Sequence, residues 1–391
     1  MFIINTSFLK GKIQAEIINQ SIGNDIEYYQ YAFYLYKNGS REKVEWYSNK
    51  NIIQFDISGN KEDYYVTGFI RSSLKDSPII ISSYTSNSKK TNYDIYRWNK
   101  PIYKISKLSL NSDLTFEDGI YQYSSGNVKI DLLFSGMSSF KAHKGILVCF
   151  SGAVTKREKK SAPFFSGLNI SEKLDVPIIS ISDPSLELSN ELNLAWYTGN
   201  SNIKNLPIVI AEILDKVSNI LNTRLIIFGG SGGGYATLAV ISQMENEVFG
   251  AVWNSQTSIS KYNQHAVINY IKESFPEHDI RSDDLYSTLE EIGIMHDLTP
   301  LYEKNKKNNY KILFLQNTGD KFHLENHTKP FMKSIGFTEN NEKVYTSKNE
   351  KICFWINYWG DGHITPGMDK IFKTLNSAIE EKSPLEIALA L

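Results

Sequence analysis

The feature that most constrains the fold is an apolar strand that leads through a glycine-rich turn into a helix, with a serine at the centre of the turn. Residues 225–241 read LIIFGGSGGGYATLAVI, and Gly229 to Gly233 fit the pattern Gly-x-Ser-x-Gly around Ser231. A serine on so tight a turn needs unusual backbone angles, and the flanking glycines remove Cβ atoms that would collide with the packed strand and helix. The pattern predicts that Ser231 is a nucleophile above a sheet and that the N–H of Gly232 stabilises an oxyanion.

Two other functions of glycine-rich turns, phosphate binding and dinucleotide binding, are excluded because residues that they require are missing. A phosphate-binding loop ends in Gly-Lys-Ser/Thr, whereas this turn continues Gly233-Gly234-Tyr235 and has no lysine. A dinucleotide fingerprint that starts at Gly230 needs glycine or alanine where Tyr235 stands. A glycine-rich turn without chemistry remains the alternative to a nucleophile.

The chain around this turn has the rhythm of an α/β domain, which we place at about residues 106–391. Near-continuous apolar strands alternate with amphipathic helices, a pattern typical of a mostly parallel sheet flanked by helices on both faces. The predicted strands are Ile120–Ser124, Val128–Phe134, Gly145–Phe150, Val176–Ser182, Arg224–Phe228, Gly250–Trp253, Lys311–Gln316 and Lys351–Tyr358. The predicted helices are Pro207–Leu221, Gly234–Met244, Tyr262–Glu273, Glu325–Ser334 and Pro366–Ile379. A polar helical insertion is expected at about residues 274–309.

The first part of the chain, at about residues 1–105, has a different pattern. Residues 28–71 are rich in aromatic and β-branched residues, and the turn signals Asn38-Gly39 and Gly59-Asn60 separate strand-like runs. Short strands at such spacing predict a small all-β sandwich domain of the immunoglobulin or fibronectin type. Its Tyr and Trp side chains either stack on a carbohydrate or form ordinary core and cross-strand pairs.

A serine nucleophile needs a histidine base and an orienting carboxylate, which in this architecture follow it along the chain in the order Ser, Asp or Glu, His. His363 lies in the loop GDGHITP directly after the apolar run CFWINYW, and the glycines let that loop turn the imidazole over the sheet edge. Asp320 follows the apolar run KILFLQ and is suited to accept the Nδ1 proton of His363. Asp361 is the competing carboxylate, and a histidine that only packs the loop is the competing interpretation of His363.

The spacing of Asp320, His323 and His327 is also compatible with a metal site, because two histidines four residues apart share a helix face. The pattern HExxH is not met, and a metal would compete with the role of Asp320, so no metal is predicted. His323 is instead expected to line the substrate pocket or to make a loop hydrogen bond. Three further histidines are expected at the surface: His265, His278 and His296.

With the elbow, the acid after one late strand and the histidine after the last strand in this order, residues 106–391 resemble the α/β-hydrolase superfamily. The resemblance implies a second oxyanion N–H from the loop SGAV after the strand GILVCF, donated by Gly152 or Ala153. Most of the chain also resembles poorly characterised bacterial proteins of surface-polysaccharide loci, through the motifs FSGAVTKREKKSAPFFSG, ISDPSL, LAWYTGN and VWNSQTSISKY. That likeness implies a glycan-related substrate.

Residues after the strand ends are predicted to contact substrate, because ligands of open parallel sheets bind beyond the carboxyl ends of the strands. They and their neighbours are Asp183, Trp196, Tyr197, Asn254, Gln256 and His323. Arg157 is added because it lies in the basic run at residues 155–160, directly after the oxyanion loop, and its guanidinium suits a carboxylate or phosphate. Helix capping, loop hydrogen bonds and a solvated basic loop are the alternatives.

The composition of the 391-residue chain excludes several partners. Lys and Arg number 42 against 43 Asp and Glu, so the net charge of −1 favours neither nucleic acid nor an anionic membrane surface. Cys149 and Cys353 each lie in an apolar run, which predicts buried, reduced core residues rather than a disulfide or a zinc site. No segment has the roughly 18 apolar residues of a bilayer span, and the N-terminus lacks a signal-peptide pattern, so we expect a cytoplasmic protein.

Together these features predict a serine-dependent acyl-transfer enzyme, either an esterase or deacylase or an O-acyltransferase, acting on an acylated substrate related to a bacterial surface glycan. The substrate is a small molecule or a glycan, and the basic run at residues 155–160 makes an anionic one compatible with the sequence. No cofactor is expected, although a transferase would take acyl-CoA as its co-substrate. The alternative is a catalytically inactive protein with the hydrolase fold that binds glycan or acts as a scaffold in polysaccharide biosynthesis.

Overall fold

The chain divides into two compact units, Met1–Thr91 and Asn92–Leu391, in a computed structural model. The structure describes residues 2–9, 11–19, 29–37, 40–58, 64–72, 79–84, 93–125, 128–157, 160–304 and 309–391. The sequence places the boundary near residue 105, and the segment between the two positions contains the strand Ile102–Ser106, which pairs with a strand of the second unit. The turns predicted at residues 38–39 and 59–60 lie outside the described residues.

The first unit consists of two antiparallel sheets, which confirms the predicted β-sandwich region. Its strands are β1 (Phe2–Leu9), β2 (Lys12–Asn19), β3 (Tyr29–Lys37), β4 (Ser40–Ser48), β5 (Ile52–Asp56), β6 (Tyr64–Ser72) and β7 (Ile79–Tyr84). One sheet has the order β1-β2-β5 and the other has the order β4-β3-β6-β7. Along β2, Ile13, Ala15 and Ile17 are buried while the residues between them are not, as expected for a sheet with one face in a core.

Four aromatic residues of this unit lie in its core or in a cross-strand pair. Tyr31 and Tyr64 are buried among aliphatic side chains of both sheets. Tyr36 stacks on Tyr65 across the β3–β6 pair, with ring centroids 4.6 Å apart. Trp46 on β4 is 69% exposed. Core and cross-strand packing therefore account for the first four aromatics, whereas Trp46 lies at the surface.

The second unit contains an eleven-stranded sheet. The strands of this unit are β8 (Ile102–Ser106), β9 (Gly119–Ser125), β10 (Val128–Ser135), β11 (Ile146–Phe150), β12 (Ile178–Ile181), β13 (Gly199–Asn200), β14 (Ile203–Lys204), β15 (Leu225–Gly230), β16 (Val248–Trp253), β17 (Tyr310–Asn317), β18 (Phe337–Asn341), β19 (Val344–Ser347) and β20 (Ile352–Asn357). The large sheet has the order β18-β19-β20-β17-β16-β15-β11-β12-β10-β9-β8, and β13 pairs with β14 in a separate hairpin. Neighbours from β20 to β12 are parallel, which confirms the predicted mostly parallel sheet.

Helices flank this sheet. They are α1 (Leu168–Leu174), α2 (Leu206–Leu221), α3 (Gly232–Ile241), α4 (Gln264–Ser274), α5 (Leu285–Ile292), α6 (Thr299–Lys304), α7 (Lys321–His323), α8 (Lys329–Ile335), α9 (Met368–Ile379) and α10 (Pro384–Ala390), with one π-helical turn at Leu324–Thr328. Alternate residues of β11 belong to two apolar clusters: Ile146 and Val148 to one, Leu147 and Cys149 to the other. Both faces of the sheet are therefore covered. Within the described residues, no helix is both long enough and apolar enough to cross a bilayer.

The predicted and observed elements differ mainly at the edges of the sheet. The sequence patterns do not predict β8, β18 or β19, nor the short helices α1 and α10. All of β18 is exposed, so it lacks the apolar alternation by which a strand is recognised. Within the predicted insertion at residues 274–309, the structure has the helices α5 and α6.

The order of the strands brings the candidate catalytic loops together. β15 ends directly before Ser231, β17 ends shortly before Asp320, and β20 ends shortly before His363. Parallel strands end at the same edge of a sheet. Because β15, β16, β17 and β20 are successive neighbours, the loops after them lie side by side at that edge.

We expect Gly233→Ala to destabilise the second unit, because an added Cβ would overlap the carbonyl of Phe150 at the end of β11. Overpacking against backbone lowers the free energy of unfolding by about 1–3 kcal/mol. Gly250→Ala is the matched control, since its Cβ would meet the end of the flexible Ile241 side chain, 2.6 Å away. Urea denaturation should show a larger loss for Gly233→Ala. Equal losses would mean that the turn does not depend on this close approach.

Candidate active site

The turn gives Ser231 the unusual backbone conformation expected from its sequence. Its φ is 55° and its ψ is −122°, angles that cost a residue with a side chain of order 1–3 kcal/mol and persist only where the surroundings fix them. Ser231 N donates to Trp253 O at 3.0 Å, and Ser231 O accepts from Tyr235 N at 3.0 Å. A Cβ at Gly229 would overlap the backbone of Gly233. These contacts hold Ser231 between β15 and α3.

Asp320 and His363 are in direct contact. His363 Nδ1 lies 2.5 Å from Asp320 Oδ2, and the Asp320 side chain is 3% exposed against 42% for His363. Burial would raise the pKa of Asp320, but hydrogen bonds from His323 and His363 outweigh burial and hold this pKa well below its usual range. The carboxylate is therefore charged at neutral pH and can stabilise an imidazolium at His363.

The competing carboxylate, Asp361, points to a different partner. Its Oδ1 accepts a hydrogen bond from the hydroxyl of Tyr358 at 3.1 Å. Both residues are exposed. Asp320 is therefore the carboxylate that the structure places against His363.

Two buried asparagines hold the loop that carries His363. Asn317 Nδ2 donates to Gly360 O at 2.8 Å and to Gly362 O at 3.0 Å. Asn254 Oδ1 accepts from Asn317 N at 2.9 Å, and Asn254 Nδ2 donates to Ile364 O at 2.7 Å. Asn254 was predicted as a substrate contact. It lines the cavity described below, and its amide is taken up by the His363 loop at Nδ2 and by the end of β17 at Oδ1.

Ser231 and His363 line one cavity of about 280 Å³. Its other lining residues come from the ends of β11, β15 and β16, the start of α1 and the loop after His363: Cys149, Phe150, Ser151, Gly152, Ser166, Gly167, Ile170, Phe228, Gly229, Gly230, Trp253, Asn254, Ile364 and Thr365. Among the described residues, no Asp, Glu, Lys or Arg lines this cavity. The wall is therefore largely apolar and carries no formal charge apart from what His363 gains on protonation.

In the structure, the described atoms show no hydrogen bond between the Ser231 hydroxyl and the His363 imidazole. Within the described part of the chain, the hydrogen bond to Ser231 Oγ comes from Gln256 Nε2, at 3.1 Å. Catalytic hydrogen bonds are often long in an unliganded site and tighten when substrate binds. The exposed position of His363 on a loop leaves room for that movement.

Gly232 and Gly152, two of the predicted oxyanion donors, both lie close to Ser231. Gly232 opens α3, where the first N–H groups of a helix have no acceptor within the helix. Gly152 lines the cavity, and a Cβ added there would lie 3.9 Å from the Cβ of Ser231. Ala153 is exposed and does not line the cavity. Of the two residues named from the resemblance, Gly152 is thus the nearer to Ser231.

Residues 199–363 match the model of the prolyl oligopeptidase family, Peptidase_S9. The match covers less than half of the chain but includes the elbow, Asp320 and His363. The second unit has the fold of an α/β-hydrolase domain, which confirms the resemblance seen in the sequence. No curated protein sequence shows significant similarity to the chain.

Solved structures with a similar fold include an esterase and two other hydrolases. Acetyl xylan esterase 1 from Thermoanaerobacterium sp. JW/SL YS485 is 14% identical, with a TM-score of 0.43 over 68% of this chain and 86% of that chain. The acylaminoacyl peptidase of Pyrococcus horikoshii is 13% identical, with a TM-score of 0.44 over 97% of this chain and 56% of that chain. A puromycin hydrolase is 10% identical, with a TM-score of 0.44 over 83% of this chain and 44% of that chain. The chain thus spans about half of the length of these two larger proteins.

Three residues predicted to touch substrate are buried beneath the hydrolase domain's cavity. Asp183 caps a short 3-10 helix and accepts from Tyr197 N at 2.6 Å. Tyr197 OH accepts from Ser151 N at 3.0 Å and donates to Ile181 O at 2.9 Å. Trp196 is fully buried, and its Nε1 donates to Gln256 Oε1 at 2.6 Å. These side chains support the loops of the site, and none of the three lines the cavity.

Arg157 does not have the expected position at the mouth of the site. It is 2% exposed, its Nη2 donates to Leu186 O at 2.7 Å and to Ser189 O at 3.0 Å, and its guanidinium lies 4.5 Å from the ring centre of Phe164. Burial, together with the nearby charge of Arg97, lowers the pKa of Arg157 to about 10. The expected contact with an anionic substrate is therefore corrected: Arg157 braces the loop after the short helix at Pro184–Glu187. Elsewhere in the basic run, residues 158–159 lie outside the described residues.

His323 and His327 occupy different environments. His323 is 3% exposed, and its Nδ1 lies 3.0 Å from Asp320 Oδ1. His327 is fully buried, its Nδ1 accepts from Thr257 N at 3.3 Å, and burial lowers its pKa to about 3. Among the described residues, the cluster whose possible ligand atoms lie within 4.8 Å of one another is Asp320, His323 and His363, not the set with His327 that the sequence spacing suggested and for which no metal was predicted. Here both imidazoles turn Nδ1 toward the carboxylate, an arrangement that hydrogen bonding explains.

Of the three histidines that the sequence places at the surface, one is buried in the structure. His265 is exposed and His278 is half-buried, whereas His296 is 5% exposed. Burial lowers the pKa of His296. Its ring contacts that of Tyr286, with the centroids 4.8 Å apart. None of the three lines the cavity.

Sequence patterns did not predict the residues of the cavity wall or the role of Asn317 in holding the His363 loop. Ile170 and Ser166 lie in and before the short helix α1, which has no clear amphipathic pattern. Trp253 and Asn317 stand at the ends of β16 and β17, and that position was the available signal. Nothing in the sequence distinguishes a side chain that points up into the cavity from one that points into the loops.

We expect Arg157→Ala to lower the free energy of unfolding by about 2–3 kcal/mol, because it removes charge-assisted hydrogen bonds and a cation–π contact. The ratio of kcat/KM for an anionic ester to that for a neutral ester should stay within about twofold. Lys160→Ala is the control, since Lys160 is exposed and should cost less than about 0.5 kcal/mol. A selective rise in KM for the anionic ester in Arg157→Ala would restore the role in charge recognition.

Proposed function

We propose that the protein is a serine-dependent acyl-transfer enzyme that removes or transfers a short, uncharged acyl group carried by a glycan-related substrate. The observation that supports this most is the constellation at the sheet edge. Ser231, at a φ of 55°, lines one cavity with His363, whose Nδ1 lies 2.5 Å from the buried Asp320. The backbone conformation at Ser231 is energetically unfavourable, and a nucleophilic role gives a reason for its presence.

Ser231 Oγ attacks the acyl carbonyl carbon as His363 Nε2 takes the hydroxyl proton. Asp320 accepts the Nδ1–H of His363 and stabilises the resulting imidazolium. The N–H groups of Gly232 and Gly152, with Ala153 as the less favoured donor, stabilise the oxyanion. His363 then gives the proton to the leaving oxygen, and the acyl group remains on Ser231 until water or an acceptor hydroxyl removes it.

The cavity supports the choice of acyl group. Its volume of about 280 Å³ lies near the lower end of the roughly 300–1,000 Å³ of small-molecule sites, which favours a short chain. Its walls are largely apolar, with the hydroxyl pair Ser151–Ser166 at 2.7 Å as a polar element. An aminopeptidase would need an anionic group for the substrate's amine, and the described lining has none. An ester is therefore favoured over an amino-terminal peptide.

The glycan part of the substrate is inferred from the sequence resemblance to polysaccharide-locus proteins. Water as acceptor makes the enzyme an esterase or deacylase, whereas a sugar hydroxyl makes it an O-acyltransferase with an acyl donor such as acyl-CoA. Acetylated oligosaccharides and acetyl-CoA, offered separately and together, distinguish these outcomes. Binding of glycan without turnover of any ester would instead indicate an inactive scaffold.

Ser231→Ala should reduce kcat for p-nitrophenyl acetate by roughly 10³-fold or more, and His363→Ala should cost nearly as much, because triad members act as a unit. Asp320→Asn should lower kcat less than either of these changes, but the fall should still be large. Each purified variant is compared with the wild type in a steady-state assay. His265→Ala is the control, because His265 is exposed and does not line the cavity, and its activity should match the wild type.

All variants should melt cooperatively, so that loss of activity reports chemistry rather than unfolding. Turnover by Ser231→Ala at the wild-type rate would contradict the proposal. A normal rate for His363→Ala together with a strong loss for Ser231→Ala would leave the nucleophile in place and require another base.

A further inference from the structure

Gln256 is fully buried beneath Ser231, and its side-chain amide makes hydrogen bonds to Trp196, Ser231, His323 and Tyr262. Its Oε1 lies 2.6 Å from Trp196 Nε1, and its Nε2 lies 3.1 Å from Ser231 Oγ and 3.2 Å from His323 Nε2. An indole nitrogen is a donor only. The atom facing Trp196 must therefore be the amide oxygen, and the atom facing Ser231 and His323 must be the NH₂ group.

The orientation of this amide fixes the tautomer of His323. The NH₂ group of Gln256 can only donate, so the Nε2 atom of His323 that faces it at 3.2 Å is an unprotonated acceptor. The ring proton is then on Nδ1, which lies 3.0 Å from Asp320 Oδ1. Burial lowers the pKa of His323 more than the hydrogen bond to Asp320 raises it, and the nearby His363 lowers it further, so the net shift favours the neutral ring. The titratable groups that face the ring are Asp320, His363 with stacked centroids at 4.1 Å, His327 at 5.4 Å and Tyr262 at 5.9 Å.

Asp320 thus reaches the Ser231 side of the site by two routes. One is the direct contact with His363. The other runs from Asp320 through His323 and Gln256 to Ser231 Oγ. We propose that Gln256 is a catalytic residue that donates a hydrogen bond to the nucleophilic oxygen, and that His323 is the positioning residue that holds the Gln256 amide in place. This inference rests on the proposed function.

The donated hydrogen bond has two consequences for the Ser231 hydroxyl. A serine hydroxyl has one hydrogen and two lone pairs. With an amide N–H on one lone pair, the hydroxyl hydrogen cannot point at Gln256 and stays available for His363. As that proton leaves, negative charge develops on Oγ, and a fixed N–H stabilises it more than it stabilises the neutral hydroxyl. The same N–H favours Oγ as the leaving group when the acyl-enzyme breaks down.

Gln256→Met tests this with little change in side-chain length. We expect kcat for p-nitrophenyl acetate to fall roughly 10- to 100-fold, in the range of one lost hydrogen bond to a charged group, while KM stays within about threefold. Gln316→Met is the matched control. Gln316 is also fully buried and has both amide ends bonded, to Thr328 Oγ1 and Asn317 O, but does not contact Ser231. Its kcat should stay within about threefold of the wild type.

A kcat for Gln256→Met within threefold of the wild type would overturn the proposal. So would an equal fall in both variants, because it would indicate a general effect of losing a buried amide. Thermal melting of both proteins shows whether their stabilities match.

The tautomer of His323 provides a test that needs neither a variant nor turnover. In ¹⁵N-histidine NMR of the wild type, His323 should be neutral with its proton on Nδ1 from about pH 8 down to about pH 6, the range around the ordinary histidine pKa. His323→Phe assigns the signal. A proton on Nε2 of His323 would contradict the inference even if Gln256→Met fails to fold. Absence of ester turnover in the wild type would count against the proposed function alone, since the tautomer is measured independently.

Discussion

Three backbone segments pack closely at Ser231: the turn after β15, the end of β11 and the start of α3. The geometry of the site depends on this packing. The turn after β15 packs against the end of β11 and against its own following helix, at distances where Gly229 and Gly233 leave no space for a Cβ. This packing holds Ser231 at a φ of 55°. The neighbouring strands then carry the other groups to the same edge, because all of them end there. A change that opened this turn would move the nucleophile relative to the cavity as a whole.

Beneath this edge lies a buried layer of amides and hydroxyls rather than a purely apolar core. Asn254 and Asn317 tie the loop of His363 to the ends of β16 and β17. Trp196 and His323 hold the two ends of the Gln256 amide. Buried polar groups of this kind cost free energy unless each is paired, so they specify one arrangement of the loops. The rigidity of the site follows from this pairing.

The sequence was sufficient to predict the fold class and the placement of Ser231, because the elbow pattern depends on local backbone sterics that residue identity alone decides. It was also sufficient to nominate Asp320 and His363, since the parallel sheet converts chain order into spatial order. It was not sufficient for side-chain direction in the loops. Trp196 and Tyr197 both adopt positive φ, at 54° and 57°, and are turned inward, which a strand-end rule cannot foresee.

Arg157 shows that the sequence was also not sufficient to predict whether a charged side chain is exposed or buried. A basic run in a loop usually means a solvated surface, yet here carbonyls from residues 186 and 189 accept hydrogen bonds from Nη2 of Arg157, and Phe164 packs against the guanidinium. Those partners are distant in the sequence, so no local pattern reveals them. The lining of the cavity beside Ser231 carries no Asp, Glu, Lys or Arg within the described residues, which supports the uncharged acyl group that we propose.

If Ser231 is an activated nucleophile, it will react covalently with a fluorophosphonate probe. The wild-type protein is treated with the probe, digested and analysed by mass spectrometry. We expect a single adduct on Ser231, with labelling that is strongly slowed in His363→Ala and absent in Ser231→Ala. No adduct on folded wild-type protein, or an adduct at another residue that persists in Ser231→Ala, would contradict it.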